Sequence, residues 1–171
     1  MSLVPGQSGM PAGAGPQLTA EAANLLHLEA WLLDQGRLDQ WLGLYTSDAT
    51  YWIPLEAGQS DPLEVSSILY DDITLLKVRV KQYADARAHA RRPAARTVHQ
   101  VGNVMVSHSA DQVLGVTSTL VVVEYRLERQ RIWGASVQHE LRRTPEGLRI
   151  CSKRVDLVNS ESELDGINIL F

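Results

Sequence analysis

The chain has 171 residues, 44% apolar and 21% charged, which excludes a wholly disordered chain and a fibrous repeat. Sixteen basic residues against twenty acidic ones leave a net charge of −4, which argues against nucleic acid as the main partner, since that role calls for a basic face. No apolar run approaches the ~20 residues that cross a bilayer, the first 17 residues lack the basic start and apolar core of a secretory signal, and the single Cys151 cannot close an internal disulfide, so a cytoplasmic chain in a reducing compartment, with no membrane partner, is expected.

Residues 1–17 carry Pro5, Gly6, Gly9, Pro11, Gly13, Gly15 and Pro16. Such a stretch buries too little apolar surface to offset its ordering entropy, and a flexible tail is expected, with a single domain over 18–171. Helical spacing begins at Thr19, read as an N-cap with Glu21 in the first turn. Leu25, Leu28 and Leu32, flanked by Ala22, Leu26 and Leu33, form its apolar face, and Gly36 ends it as a C′ residue. A second short helix follows, with Leu38, Trp41, Leu42 and Tyr45 on one side and a break at Ser47-Asp48. Thr50 to Ile53 is a β-rich run stopped by Pro54.

The segment 57–62 (AGQSDP) is turn chemistry, and Val65 to Tyr70 is short and β-prone. Asp71 reads as the N-cap of a third helix with Asp72 in its first turn. Ile73, Leu76, Val80 and Tyr83 mark its buried stripe, with Arg79 and Lys81 on the wet side. Residues 84–95, rich in Ala and Arg and holding Pro93, read as a mobile loop.

Four long β-prone runs follow, at 97–108, 113–129, 131–143 and 148–158, separated by Ser109-Ala110-Asp111, a turn near Gln130, and Thr144-Pro145-Glu146-Gly147. In the third run Trp133, Ala135, Val137, His139 and Leu141 share one face, and Ser136, Gln138, Glu140 and Arg142 the other. The alternation predicts an antiparallel meander packed on one side. Three helices followed by a curved, mainly antiparallel sheet make an α+β domain, with the helices over the concave side of a cone-shaped cavity.

This element order resembles the cone-shaped fold named after nuclear transport factor 2, also called SnoaL-like. Four stretches are more specific: LLHLEAWLLDQGRLDQWLGLYTSDATYWIP (25–54), SSILYDD (66–72), RTVHQVGNV (96–104) and KRVDLVNSESEL (153–164). In that order they resemble the small, or β, subunit of bacterial aromatic-ring-hydroxylating dioxygenases, over about residues 20–171. The resemblance implies a structural, non-catalytic subunit in an α3β3 assembly, and it allows a β trimer for the chain alone without fixing that state. It also implies that the large α subunit carries the Rieske [2Fe–2S] cluster and the mononuclear Fe(II). The residue count points the same way, since a Rieske centre takes two Cys and two His and this chain has one Cys. The five histidines (His27, His89, His99, His108, His139) show no metal-binding spacing. Neither a phosphate-binding loop nor a nucleophile-elbow motif occurs, and the AGAGP around Gly13 and Gly15 runs into Pro16. No cofactor or metal is therefore expected in this chain.

Thirteen of the sixteen basic residues are Arg. Arg suits partly buried carboxylate pairing at interfaces, and a GC-rich coding sequence explains the bias equally well. Tyr70, Asp71, Asp72, Arg96, Arg154, Asp156 and Phe171 are the candidate subunit-interface residues. The apolar tail Ile167 to Phe171 is expected to dock on its own domain or a partner. Two other functions fit the pattern. One is a stand-alone dehydratase or isomerase of the cone fold, with His99, His139, Asp72 and Tyr51 as the proton-transfer candidates. The other is a small-molecule or homo-oligomeric interaction module.

Overall fold

A computed structural model of the chain describes residues 15–89, 94–162 and 166–171, the side chains of 86–89 excepted. Helix α1 (Pro16–Asp34) starts three residues before Thr19, because Pro16 occupies the first helical position, where no backbone N–H is needed and φ is already helical. The tail expected over 1–17 thus loses Pro16 and Gln17 to the helix, and residues 1–14 lie outside the described residues. At the other end Gly36, at φ 65°, lets its own N–H reach the Leu33 carbonyl and that of Arg37 reach Leu32. That is the Schellman closure a C′ glycine permits. The buried face of α1 is Ala22, Leu25, Leu26, Glu29, Ala30, Leu32 and Leu33. Leu28, expected on that face, is exposed together with Trp31, which lies under the Arg37 guanidinium.

Helix α2 (Leu38–Leu42) is one turn, and strand β1 (Tyr45–Pro54) begins at once. Tyr45 is therefore a strand residue, and Ser47-Asp48, expected to break a helix, lie within the strand. Strand β2 (Ser67–Asp72) leads directly into helix α3 (Ile73–His89), so residues 84–89, expected in a loop, are helical, and 90–93 fall outside the described residues. The cap is Asp72, one residue later than expected: its Oδ1 accepts from the N–H groups of Thr74 and Leu75, both at 2.9 Å. Asp71 turns inward and takes the Arg79 guanidinium, through Nε and through NH2 at 3.1 Å, which draws Arg79 off the wet side where the pattern put it. Substituting Asp72→Ala is expected to cost about 1 kcal/mol through the lost cap, read as a lower urea midpoint with an unchanged slope.

Strands β3 (Arg96–Ala110), β4 (Val113–Arg126), β5 (Arg129–Thr144) and β6 (Gly147–Leu157) complete one sheet of order β2-β1-β6-β5-β4-β3. All neighbours are antiparallel except β1 and β6, which run parallel. The β3–β4 and β4–β5 hairpins close on two-residue turns, Asp111-Gln112 and Leu127-Glu128, each with both residues at positive φ. This is the twist-matched type I′ geometry, and it places Gln130, expected in the turn, inside β5. Between Gly102 and Met105 the β3–β4 register slips, with Asn103 at φ 49°. Such a bulge bends the strand and curves the sheet. Helix α1 lies against β3 and α3 against β1. The core between them includes Trp41, Tyr51, Leu76, Val116, Val122, Trp133, Ile150 and Phe171.

Candidate functional site

The interior of the cone is held together by charge as well as by apolar packing. Glu29 projects from the apolar face of α1 and is 3% exposed. Its Oε1 accepts from Lys153 Nζ on β6 (2.7 Å), Tyr45 OH (2.9 Å) and Trp41 Nε1 (3.2 Å), and its Oε2 from His139 Nε2 on β5 (3.1 Å). Burial alone would raise the Glu29 pKa, but Lys153 and His139 outweigh it and hold the carboxyl well below the usual range. Burial likewise lowers Lys153 and His139, and it raises the Tyr45 and Tyr51 phenols.

Next to this cluster, His99 on β3 is clamped on both ring nitrogens. Nδ1 lies 2.6 Å from Asp34 Oδ1 at the end of α1, and Nε2 lies 2.9 Å from the Leu170 carbonyl. Thr97 Oγ1 donates to the same Asp34 oxygen, and the His99 N–H to the other. Burial acts to raise Asp34, but the His99 and Thr97 hydrogen bonds prevail and its pKa is lowered.

Residues 169–171 are buried and belong to the same core. Phe171 is 1% exposed and meets Trp133 edge-on, with centroids 5.7 Å apart. Its N–H donates to Tyr51 OH (3.0 Å), and its oxygen accepts from Lys153 Nζ and, at 3.3 Å, from Tyr51 OH. Tyr83 OH donates to the Ile169 carbonyl (3.3 Å). The cavity expected in the cone is thereby reduced to about 10 Å³, lined by Glu29, His99, Ser118, His139, Lys153 and Phe171 among others. That is room for one water. Nδ1 of His139 is buried with no hydrogen-bond partner.

Three of the four proton-transfer candidates, Tyr51, His99 and His139, therefore meet in one interior, whereas Asp72 is spent capping α3. Of the interface candidates, Asp71 and Phe171 are enclosed by their own domain. Tyr70 packs edge-on against Trp52, Arg154 lies 4.4 Å above the Trp52 ring and pairs with Asp156, and Arg96 covers Tyr125 near the far edge of the sheet. Pattern reading missed Glu29, Asp34, Lys153 and Glu124. Glu124 is 1% exposed and takes Trp133 Nε1 and Arg131, both at 2.9 Å. A signal existed for two of them. Glu29 sits three and four residues from Leu25, Leu26, Leu32 and Leu33 on the apolar stripe, and Lys153 alternates with Val155 and Leu157.

The depressed carboxyls give stability a definite pH dependence. Glu29 and Asp34 contribute fully above their ordinary values of 4.5 and 3.8, and lose that contribution as pH falls below them, because the unfolded chain takes up protons first. His139 acts in the same direction from 6.5 downward, since its buried ring resists the proton that the unfolded chain binds. The urea midpoint is expected to fall between about pH 7.5 and about pH 5, and His139→Gln to flatten part of that limb. A midpoint constant over this range would contradict the placement of His139.

The only cysteine, Cys151, donates its S–H to the Glu140 carbonyl at 3.2 Å, and among the described residues no group of three or more His, Cys, Asp or Glu is placed to hold a metal ion. The donor set does not suit a Rieske cluster, which draws on two thiolates and two imidazoles. No described helix is long and apolar enough to cross a membrane.

The family model described as "Ring hydroxylating beta subunit" matches residues 28–162. The chain belongs to that family. It is 33% identical over 137 residues to the small oxygenase component of the p-cumate 2,3-dioxygenase system of Pseudomonas putida, covering 79% of this chain and 76% of that one. In structure it is similar to the β subunit of benzoate 1,2-dioxygenase from Burkholderia mallei, with TM-score 0.74 and 24% identity over 95% of this chain and all (100%) of the other. An NTF2-like protein with a cystatin-like fold from Novosphingobium aromaticivorans superposes with TM-score 0.59 at 15% identity, covering 84% of this chain and 83% of that one. The α+β cone expected from the element order is the architecture of these dioxygenase β subunits.

Proposed function

We propose that this chain is the non-catalytic structural β subunit of an aromatic-ring-hydroxylating dioxygenase. In this reading it supports large α subunits in a cytoplasmic hexamer of three large and three small chains. The Rieske cluster and the mononuclear Fe(II) belong to the large subunit, and the substrate is an aromatic compound bound there. The observation that carries the reading is the match of residues 28–162 to the β-subunit family. The cone interior supports it: His99 has both ring nitrogens engaged, His139 is tied to Glu29, and the void they line with Lys153 and Phe171 has room for one water. Tyr70, Arg96, Arg154 and Asp156, at least part-exposed on the chain, are the side chains offered to partner subunits.

Co-expression with a dioxygenase large subunit, followed by size exclusion with light scattering, tests the reading. The expected result is a hexamer whose iron stays with the large subunit when the two are separated. Stoichiometric iron in the lone chain, or turnover without a companion protein, would overturn it.

A further inference from the structure

Two exposed apolar surfaces among the described residues carry opposite charge. The first is the connection 55–66 between β1 and β2, where Leu55, Leu63 and Val65 are exposed. Leu63 stands 82% exposed, yet the loop that carries it is fixed. The buried Gln59 amide accepts from the Leu55 N–H (3.2 Å) and donates to the carbonyls of Asp61 (3.2 Å) and Val65 (3.0 Å). Asp61 Oδ1 holds the Leu63 N–H at 2.7 Å. An apolar side chain held out on a fixed loop is preorganised for a partner. The same stretch carries Glu56, Asp61 and Glu64 and no Lys or Arg. The second surface crosses β3, β4 and β5 on the face turned away from the core. Register sets Val98, Val123 and Ile132 in one row and Val121 opposite Gly134 in the next. A Cβ at Gly134 would meet Val158 at 3.5 Å, so Val158 lies on this face too. Val98, Ile132 and Val158 are 62%, 67% and 81% exposed. Arg96, stacked on Tyr125, and the hairpin residues Arg126 and Arg129 make this surface positive, with Glu128 offsetting only part, while Arg131 is matched by Glu124.

We propose that copies of this chain bind one another head to tail, the acidic loop 55–65 of one seated on the Val98–Val121–Ile132 face of the next, and that this contact closes three of them into a ring. Uncovered apolar surfaces mark contacts, and opposite charge around them selects which surfaces meet. A ring of three takes a heterologous contact, in which each chain presents two different surfaces. The placement suits such a ring. The loop lies at the β2–β1 edge of the sheet and the positive surface at the β5–β4–β3 edge. Both lie at the end where β1, β6 and β4 finish and β3 and β5 begin. A two-fold pair through either surface would instead set like charge against like. The number three rests on the proposed hexamer, and the contact rests on the two surfaces.

The test places Leu63→Cys and Ile132→Cys, both at exposed positions, in one full-length chain, assembles it with a dioxygenase large subunit, and adds a short bis-maleimide. Small chains are expected to join one another into dimers and trimers only when both cysteines are present. Each single variant should stay unlinked, because in a head-to-tail contact position 63 never meets position 63. Linking to the large subunit, linking through one substitution alone, or no linking in an intact hexamer overturns the proposal. An unsubstituted chain that makes no hexamer overturns the subunit reading instead. The lone chain then decides: linking that needs both cysteines upholds the contact, and its absence overturns it. If the cysteine chain does not fold, a charge swap decides. Glu64→Arg alone and Arg129→Glu alone should each let the small chains separate at lower salt, and the two together should restore the original salt resistance. No restoration overturns the proposal.

Discussion

Replacing Glu29 by alanine is expected to destabilise the chain by about 3–5 kcal/mol, the usual cost of leaving one partner of a buried ion pair alone. The carboxylate accepts four hydrogen bonds from four separate side chains. Its removal strands the Lys153 ammonium, 3% exposed at its side chain, with only the Phe171 oxygen. It also leaves the Trp41 indole N–H and the Tyr45 hydroxyl without their acceptor. Lys153 relieves part of this by releasing its proton, which its already lowered pKa makes easier. Glu29→Ala should therefore lose less stability at alkaline pH than at neutral pH. Lys153→Met leaves Glu29 charged and short of its strongest donor. The double variant should be less destabilised than the sum of the singles by about 0.5–3 kcal/mol, the coupling of groups in one network. Denaturant midpoints of the four chains measure this cycle. An additive result would show that the two groups do not pair in solution.

Elements with a strong period were legible in the sequence, and those set by tertiary partners were not. The alternation of β5, with Trp133, Ala135, Val137, His139 and Leu141 all inward, follows from residue order alone. The hairpin at Leu127-Glu128 carries no Gly, Asn or Pro, so the turn near Gln130 was placed too late. The paired strands, not local chemistry, impose positive φ there. Tyr45 read as helical because Trp41 and Tyr45 stand four residues apart. In the fold both reach Glu29 from different elements. Asp71 and Asp72 are chemically alike. Only Arg79, eight residues on, decides which of them turns inward and which caps the helix. The interior charges were the hardest to see, since a lone Glu on an apolar stripe reads as a defect until Lys153 and His139, over a hundred residues away, arrive beside it.

Trp41→Ala should cost about 3–5 kcal/mol, the range for emptying a large aromatic from a core. Helix α2 is five residues long, far below the length at which a helix holds in water on its own. Trp41, 0% exposed, is its only buried residue. The indole meets Tyr45 edge-on at 4.9 Å and Tyr51 at 6.1 Å, edge-to-face contacts that add to burial. Losing the ring therefore leaves α2 held to the core only by the part-buried Leu38 and Leu42, and the chain between α1 and β1 loses its main fixed point. Trp41→Phe separates packing from polarity. It keeps most of the aromatic contact and removes only the N–H to Glu29, so about 1–3 kcal/mol is expected. Combined with Glu29→Ala, the Phe substitution should add little, because the acceptor it fails to reach is already gone. If Trp41→Phe instead costs as much as Trp41→Ala, the indole N–H, not the ring, anchors this turn, and the buried carboxylate organises the helix as well as the cone.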